Sequence, residues 1–148
     1  MSKTQIEQDI ELAKKMIRDN GLGLVAIKEG RVILKSGERG VRPFVQAINE
    51  LGDTLHGSVI GDRVIGRASA MLCIYLGATA VYTPLISDSA VAEFRLADIK
   101  LVADKRTPYI LNRQGTDMCP FEKMTEASLS PDEVFRTLAG FLGTSTNN

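Results

Sequence analysis

The sequence predicts a three-layer α/β/α sandwich around a mixed β-sheet that opens with an N-terminal β-hairpin. Three observations carry that expectation. Two apolar runs, Leu24-Val25-Ala26-Ile27 and Val32-Ile33-Leu34, flank Glu29-Gly30, a pair suited to a two-residue hairpin turn because glycine tolerates positive φ. Further on, strand-like apolar runs alternate with helical periodicity, the pattern of strands joined by helical crossovers. Between Ala68 and Ser87 no side chain is charged, and the stretch divides into a buried helix followed by a buried strand. Its length approaches that of a membrane span, but Gly77, Thr79, Thr83 and Pro84 interrupt it. Right-handed crossovers then limit how the later strands are arranged.

The elements follow in order. Thr4 with Glu7 three residues on forms a capping box that starts the first helix. Ile6, Ile10, Ala13 and Ile17 share one face, and Asn20-Gly21 supplies a left-handed stop. After the hairpin, Arg39-Gly40-Val41-Arg42-Pro43 leads into a second helix, with Pro43 near its first turn. Phe44, Ala47, Ile48 and Leu51 form its buried stripe, and Gly52 ends it. Ser58-Val59-Ile60 has the short apolar character of a central strand. Asp62 is then placed to cap a helix running from Arg63 to Leu76, apolar on nearly every side after Arg67. Gly77 closes that helix and Ala80-Val81-Tyr82 forms the next strand. Ser87 or Asp88 caps a helix whose Val91 and Phe94 face inward. Ile99-Lys100-Leu101-Val102 and Tyr109-Ile110-Leu111 read as further strands, and a polar loop from Asn112 to Asp117 reaches Cys119-Pro120. The last helix has Ser130 as N-cap, Pro131 at N1 and Glu133 at N3, and it buries Val134, Leu138 and Leu142. Residues 1–143 are expected to form one domain, with 144–148 a disordered tail.

A chain of 148 residues suits one domain that buries roughly 70% of its unfolded surface. Eighteen basic residues balance eighteen acidic ones, so composition supplies no long-range attraction to nucleic acid or anionic membrane. Met1 to Glu11 has none of the apolar core of a signal peptide. Two cysteines make no disulfide framework, and a reducing cytoplasm is the expected setting.

Three stretches occur in order: Glu38-Arg39-Gly40-Val41-Arg42-Pro43, Gly61-Asp62-Arg63-Val64-Ile65-Gly66-Arg67-Ala68, and Asn112-Arg113-Gln114-Gly115-Thr116-Asp117-Met118-Cys119-Pro120. Together they resemble a small bacterial family of unknown function assigned to the cytidine-deaminase-like fold. The resemblance spans Leu12 to Lys123; it implies that fold and no particular activity. Asp117 departs from the family's pattern, which favours a small residue there, and it puts a carboxylate beside the cysteine loop.

Zinc deaminases take a His or Cys at one helix start, a glutamate two residues on, and a Cys-x-x-Cys pair at the next helix start. Here the corresponding stretches, Gly61-Asp62-Arg63-Val64 and Pro84 to Ala90, contain no His, Cys or Glu. His56, the one histidine, precedes the strand; Cys73 lies within a buried helix and Cys119 far downstream. No metal and no cofactor is expected, and no Walker-type or dinucleotide glycine motif is present.

The candidate site is instead the end of the Ser58-Val59-Ile60 strand. Ligands in open α/β sheets bind beyond the carboxyl ends of strands, where helix N-termini present free N–H groups. Gly61 would let a ligand approach the backbone, Asp62 would cap the helix or accept a ligand hydroxyl, and Arg67 would reach a phosphate. Arg39, Arg42 and Arg113 come from loops able to converge on the same rim, and guanidinium groups suit phosphate or carboxylate. Cys119 before Pro120 would sit at a helix start, where the dipole favours the thiolate, making it the candidate nucleophile. His56 is a further candidate acid or base, though a lone histidine at a loop–strand junction is more often structural.

Three readings follow. The first is a zinc-free domain binding a nucleotide-like or other phosphorylated small molecule. The second is a metal-independent group-transfer enzyme using Cys119, an analogy from fold alone. The third is a partner-binding or homo-oligomeric scaffold packed through helix faces.

Overall fold

The chain builds a six-stranded sheet with helices on both faces, and the computed structural model describes residues 3–112 and 114–143. Arg113, the side chain of Thr4 with its expected cap, and the tail at 144–148 lie outside the described residues. Helix α1 (Lys3–Arg18) leads into the hairpin of β1 (Leu24–Lys28) and β2 (Arg31–Ser36). Glu29 and Gly30 both take positive φ, 51° and 83°, as the twist of a two-residue hairpin turn requires. Then follow α2 (Val41–Leu51), a short 3-10 turn (Gly52–Leu55), β3 (Val59–Asp62), β4 (Val64–Ile65) and α3 (Arg67–Leu76). The chain continues through β5 (Ala80–Ser87), α4 (Asp88–Ala97), β6 (Lys100–Thr107), the five-residue α5 (Pro120–Met124) and α6 (Pro131–Leu142).

β1 runs antiparallel to both β2 and β3, whereas β3, β4 and β6 run parallel to β5. The sheet is therefore mixed, with its antiparallel part contributed by the hairpin. Strand alternation divides the core between the two faces. Val25, Ile27, Val59, Ala80 and Tyr82 point to α1 and meet Ile10, Ala13 and Ile17. Leu24, Ala26, Ile60 and Val81 point the other way, into the layer that holds Phe44, Leu72, Phe94 and Leu138 from α2, α3, α4 and α6. The expected three layers are present, with α1 on one face and α2, α3, α4 and α6 on the other.

Local signals fix several helix ends. Ser87 Oγ accepts the N–H of Ala90, and Ser130 Oγ accepts that of Glu133, the N-cap geometry both serines predict. Gly77 takes the left-handed conformation that closes α3.

The structure corrects the sequence reading in several places. Asp62 is the last residue of β3, paired with Leu24, and it caps no helix. After the break at Arg63, the two residues of β4 pair with Leu85 and Ile86 of β5, so α3 starts at Arg67 with Gly66 as N-cap. β5 is correspondingly longer than Ala80–Tyr82. It passes through Pro84, which lies between the pairing of Ala80–Tyr82 with β3 and that of Leu85–Ile86 with β4 and is likewise skipped in the register with β6. β6 extends to Thr107 as an edge strand, while Tyr109-Ile110-Leu111 forms no strand and contributes one bridge, Leu111 to Met118.

Gly61 serves packing rather than ligand approach. A Cβ there would lie 2.8 Å from Val25 Cγ2, 3.1 Å from Ile17 Cγ1 and 3.2 Å from Ala13 Cβ, the surface on which α1 rests. Gly61→Ala is expected to destabilise the fold by roughly 1–3 kcal/mol by prising α1 from the sheet. Denaturant unfolding checks this, and an unchanged midpoint would contradict the packing role.

Candidate functional site

Where β3 gives way to β4, the carboxyl end of the sheet opens into a cleft of about 930 Å³. Four parts of the chain wall it. Arg39, Gly40 and Val41 come from the turn into α2; Asp62, Arg63 and Val64 from the strand break; Ser69 from α3. The opposite wall is a segment after β6 that contributes Ile110, Leu111, Asn112, Gln114, Cys119, Pro120, Phe121 and Glu122. A smaller hollow of about 370 Å³ adjoins it, and Ile110 and Glu122 line both.

Asp62 is the chemically distinctive group. Alternation along β3 turns it toward the α2–α3 layer, opposite to Gly61, and only 3% of it is exposed. Burial pushes its carboxyl up to about 8, against backbone hydrogen bonds from Val64 and Arg63 that pull it down. At neutral pH it is mainly the protonated acid, able to donate as well as accept a hydrogen bond. The buried Cys73 thiol is pushed well up, chiefly by burial and then by Asp62.

The arginines separate. Arg39 lines the cleft, whereas Arg42 is exposed on the first turn of α2 and is not part of the cleft wall. Arg67 lines the smaller hollow, but its guanidinium is committed: it pairs with Glu93 at 3.1 Å and donates to the carbonyls of Thr125 and Ser128 at 3.0 and 2.6 Å. The guanidinium of Arg63, whose backbone borders the strand break, donates to the carbonyls of Ile17 and Leu22 behind α1.

The free N–H groups expected at the helix start are likewise engaged. Glu122 Oε1 accepts the N–H of Arg67 and Oε2 that of Ala68, both at 2.8 Å. This carboxylate comes from far downstream, and nothing in the sequence signalled it; its spacing matches no local cap. Asn112 and Gln114 lie inside the third motif, but sequence reasoning gave a role there only to Arg113 and Cys119.

Cys119 is half-buried on the cleft wall, and it precedes a helix of only five residues. Asp117, beside it in sequence, turns to Lys123, whose ammonium holds its carboxyl below the usual range together with the Met118 N–H. His56 packs against Gly77 at the carboxyl end of α3, opposite the end that meets the cleft. Cys73 lies fully buried inside α3. Among the described residues no group of three or more His, Cys, Asp or Glu side chains is arranged to hold a metal ion. No described helix is long and apolar enough to cross a membrane.

Fold and site together define a three-layer α/β/α domain with a cleft at its strand ends and a buried carboxyl on the cleft floor. The chain belongs to DUF1893, a family described as a domain of unknown function, whose match covers residues 12–142. Its structure is similar to that of the DUF1893 family protein TM1506 from Thermotoga maritima, with 26% identity and a TM-score of 0.82 over 95% of this chain and 92% of that one. Two looser likenesses are to a diaminohydroxyphosphoribosylaminopyrimidine deaminase/5-amino-6-(5-phosphoribosylamino)uracil reductase from T. maritima and to RibD from Acinetobacter baumannii. The first has 22% identity and a TM-score of 0.44 over 82% of this chain and 40% of that one. The second has 20% identity and a TM-score of 0.42 over 68% and 34%. No curated protein matches the sequence.

Asp62 sets a pH dependence. The unfolded chain releases this proton near 3.8 and the folded one near 8, so between those values the folded state binds more protons and stability falls as pH rises. Asp62→Asn removes that cost. It is expected to stabilise the protein at pH 8, by something on the order of a few kcal/mol, and to change little at pH 4. Urea unfolding from pH 4 to 9 measures the difference, and a gain that does not grow with pH would place the carboxyl's titration elsewhere.

Proposed function

We propose that this is a zinc-free, cytidine-deaminase-like domain that binds a nucleotide-like or other phosphorylated small molecule in the cleft. The observation that carries the reading is Asp62: a nearly fully buried carboxyl at the floor of a large cleft beyond a central strand end. A neutral carboxylic acid, with the amide of Gln114 on the facing wall, suits a heterocycle edge that offers both donors and acceptors, while the Asn112 amide is spent on the Thr116 N–H and hydroxyl. Val41, Val64, Ile110 and Phe121 supply apolar surface for the faces of a planar ring, and Arg39 supplies the cation for a phosphate. Arg67 belongs to the scaffold in this reading, since its donors are occupied within the chain.

Native and denaturing mass spectrometry of the purified protein, followed by thermal shifts with paired nucleosides and nucleoside monophosphates, tests the proposal. The expected result is stabilisation by a monophosphate beyond that by its nucleoside. Arg39→Ala should erase that difference and weaken binding roughly tenfold, the scale of one lost charge-assisted hydrogen bond. A bare native mass together with no shift across the panel would overturn it.

A second reading, metal-independent group transfer through Cys119, is favoured by the place of that thiol on the same wall. It predicts iodoacetamide labelling of Cys119 near pH 7 faster than that of free cysteine. Labelling at or below the free rate would count against it.

A further inference from the structure

The segment Met118–Ser128 is held to the body of the protein by few contacts, most of them polar. α5 contains no buried residue, and only Thr125 in the whole segment is buried. Phe121 and Met124 rest against the edge of the main core, and Phe121 meets Phe141 edge-on at 6.0 Å. At its start Met118 bridges Leu111, and the Cys119 N–H donates to the Ile110 carbonyl at 2.8 Å. Beyond that the ties converge on the start of α3: Glu122 on the N–H groups of Arg67 and Ala68, and the Arg67 side chain on the carbonyls of Thr125 and Ser128.

Gly66 shows what this junction is built for. Its φ of −98° and ψ of −173° are ordinary extended backbone, so glycine is not required there for conformation. A Cβ would instead fall 2.5–2.6 Å from the carboxylate atoms of Glu122. The missing side chain leaves the seat that Glu122 fills. The same carboxylate stands between the large cleft and the smaller hollow and lines both.

We propose that Glu122 is a latch and Met118–Ser128 a lid hinged at Met118 and Cys119: release of Glu122 from the α3 N-terminus lets the rest of the segment lift, joins the two hollows into one trough and opens the surroundings of the Cys119 thiol at the hinge. A surface segment with so little buried apolar area opens at a free energy below that of global unfolding. The two charge-assisted hydrogen bonds and the Arg67 ties set how often it does so. The latch is a property of the fold and stands whether or not the cleft takes a nucleotide.

Native-state hydrogen exchange on the ligand-free protein tests it through the amides of Arg67 and Ala68, with Leu72 in the middle of α3 as the internal reference. In the wild type both latch amides should exchange faster than Leu72, through opening of the lid alone. Gly66→Ala, whose Cβ expels Glu122 while leaving the backbone geometry allowed, should speed exchange at both by about tenfold or more and leave Leu72 unchanged. Glu122→Gln keeps the shape and loses the charge, so it should act in the same direction to a smaller extent, and Cys119 should label faster in both variants. The proposal is overturned if the wild-type latch amides exchange no faster than Leu72, or if Gly66→Ala leaves them as protected as before. Should Gly66→Ala not fold, Glu122→Gln decides by the same two amides. Because no ligand is present, failure of the latch leaves the nucleotide reading standing, and failure of that reading leaves the latch.

Discussion

α1 lies directly on β3, and the candidate site depends on that contact. The strand has no room there for a side chain at Gly61, where a Cβ would run into Val25, Ile17 and Ala13. With Val59 and Gly61 facing α1, Ile60 and Asp62 must face α3, because successive residues of a strand point to opposite sides. Asp62 is thereby driven into the more heavily covered layer, and a carboxyl confined there holds its proton far above the usual range. One packing requirement on the back of the sheet thus sets the protonation state of the group on the front.

The break after Asp62 shapes the cleft around it. β3 and β4 share one edge of β5, interrupted at Arg63 opposite the region of Pro84. Those extra strand residues delay the start of α3 to Arg67, so the helix begins beyond the strand end and leaves a gap where the cleft lies. The N–H groups freed at that helix start need acceptors, and Glu122 provides them for Arg67 and Ala68. Arg67, placed by the same geometry, ties the downstream segment back through two carbonyls and reaches α4 through Glu93. The wall of the cleft and the cap of its neighbouring helix are consequently one piece of chain.

Residue identity made much of the framework legible. Glu29-Gly30 specified the hairpin because few other pairs accept two positive φ values in succession. Ser87, Ser130 and Gly77 marked helix ends because each satisfies backbone groups within a few residues of itself. The apolar periodicity of α1 and α6 identified the faces they bury. Where the reading slipped, a distant partner had outweighed the local signal. Asp62 followed by polar Arg63 reads as a cap, yet pairing with Leu24 keeps it in the strand. Lys100–Thr107 is too polar to read as a full strand, and pairing with β5 along one edge makes it one.

The sequence by itself determined the layers, the hairpin and several helix ends, because those depend on periodicity and on contacts within one or two turns; for the site it offered only a candidate stretch. Only the tertiary structure decided which residues of that stretch face the cleft. It withdrew Gly61 to the back of the sheet, spent Arg67 on the carbonyls of Thr125 and Ser128, and left Arg42 outside. It also brought Asn112, Gln114 and Glu122 opposite Asp62. The reason is physical: a side chain's role here is set by the hydrogen bonds and volumes it meets across the fold, and those partners lie as many as 61 positions away in the chain.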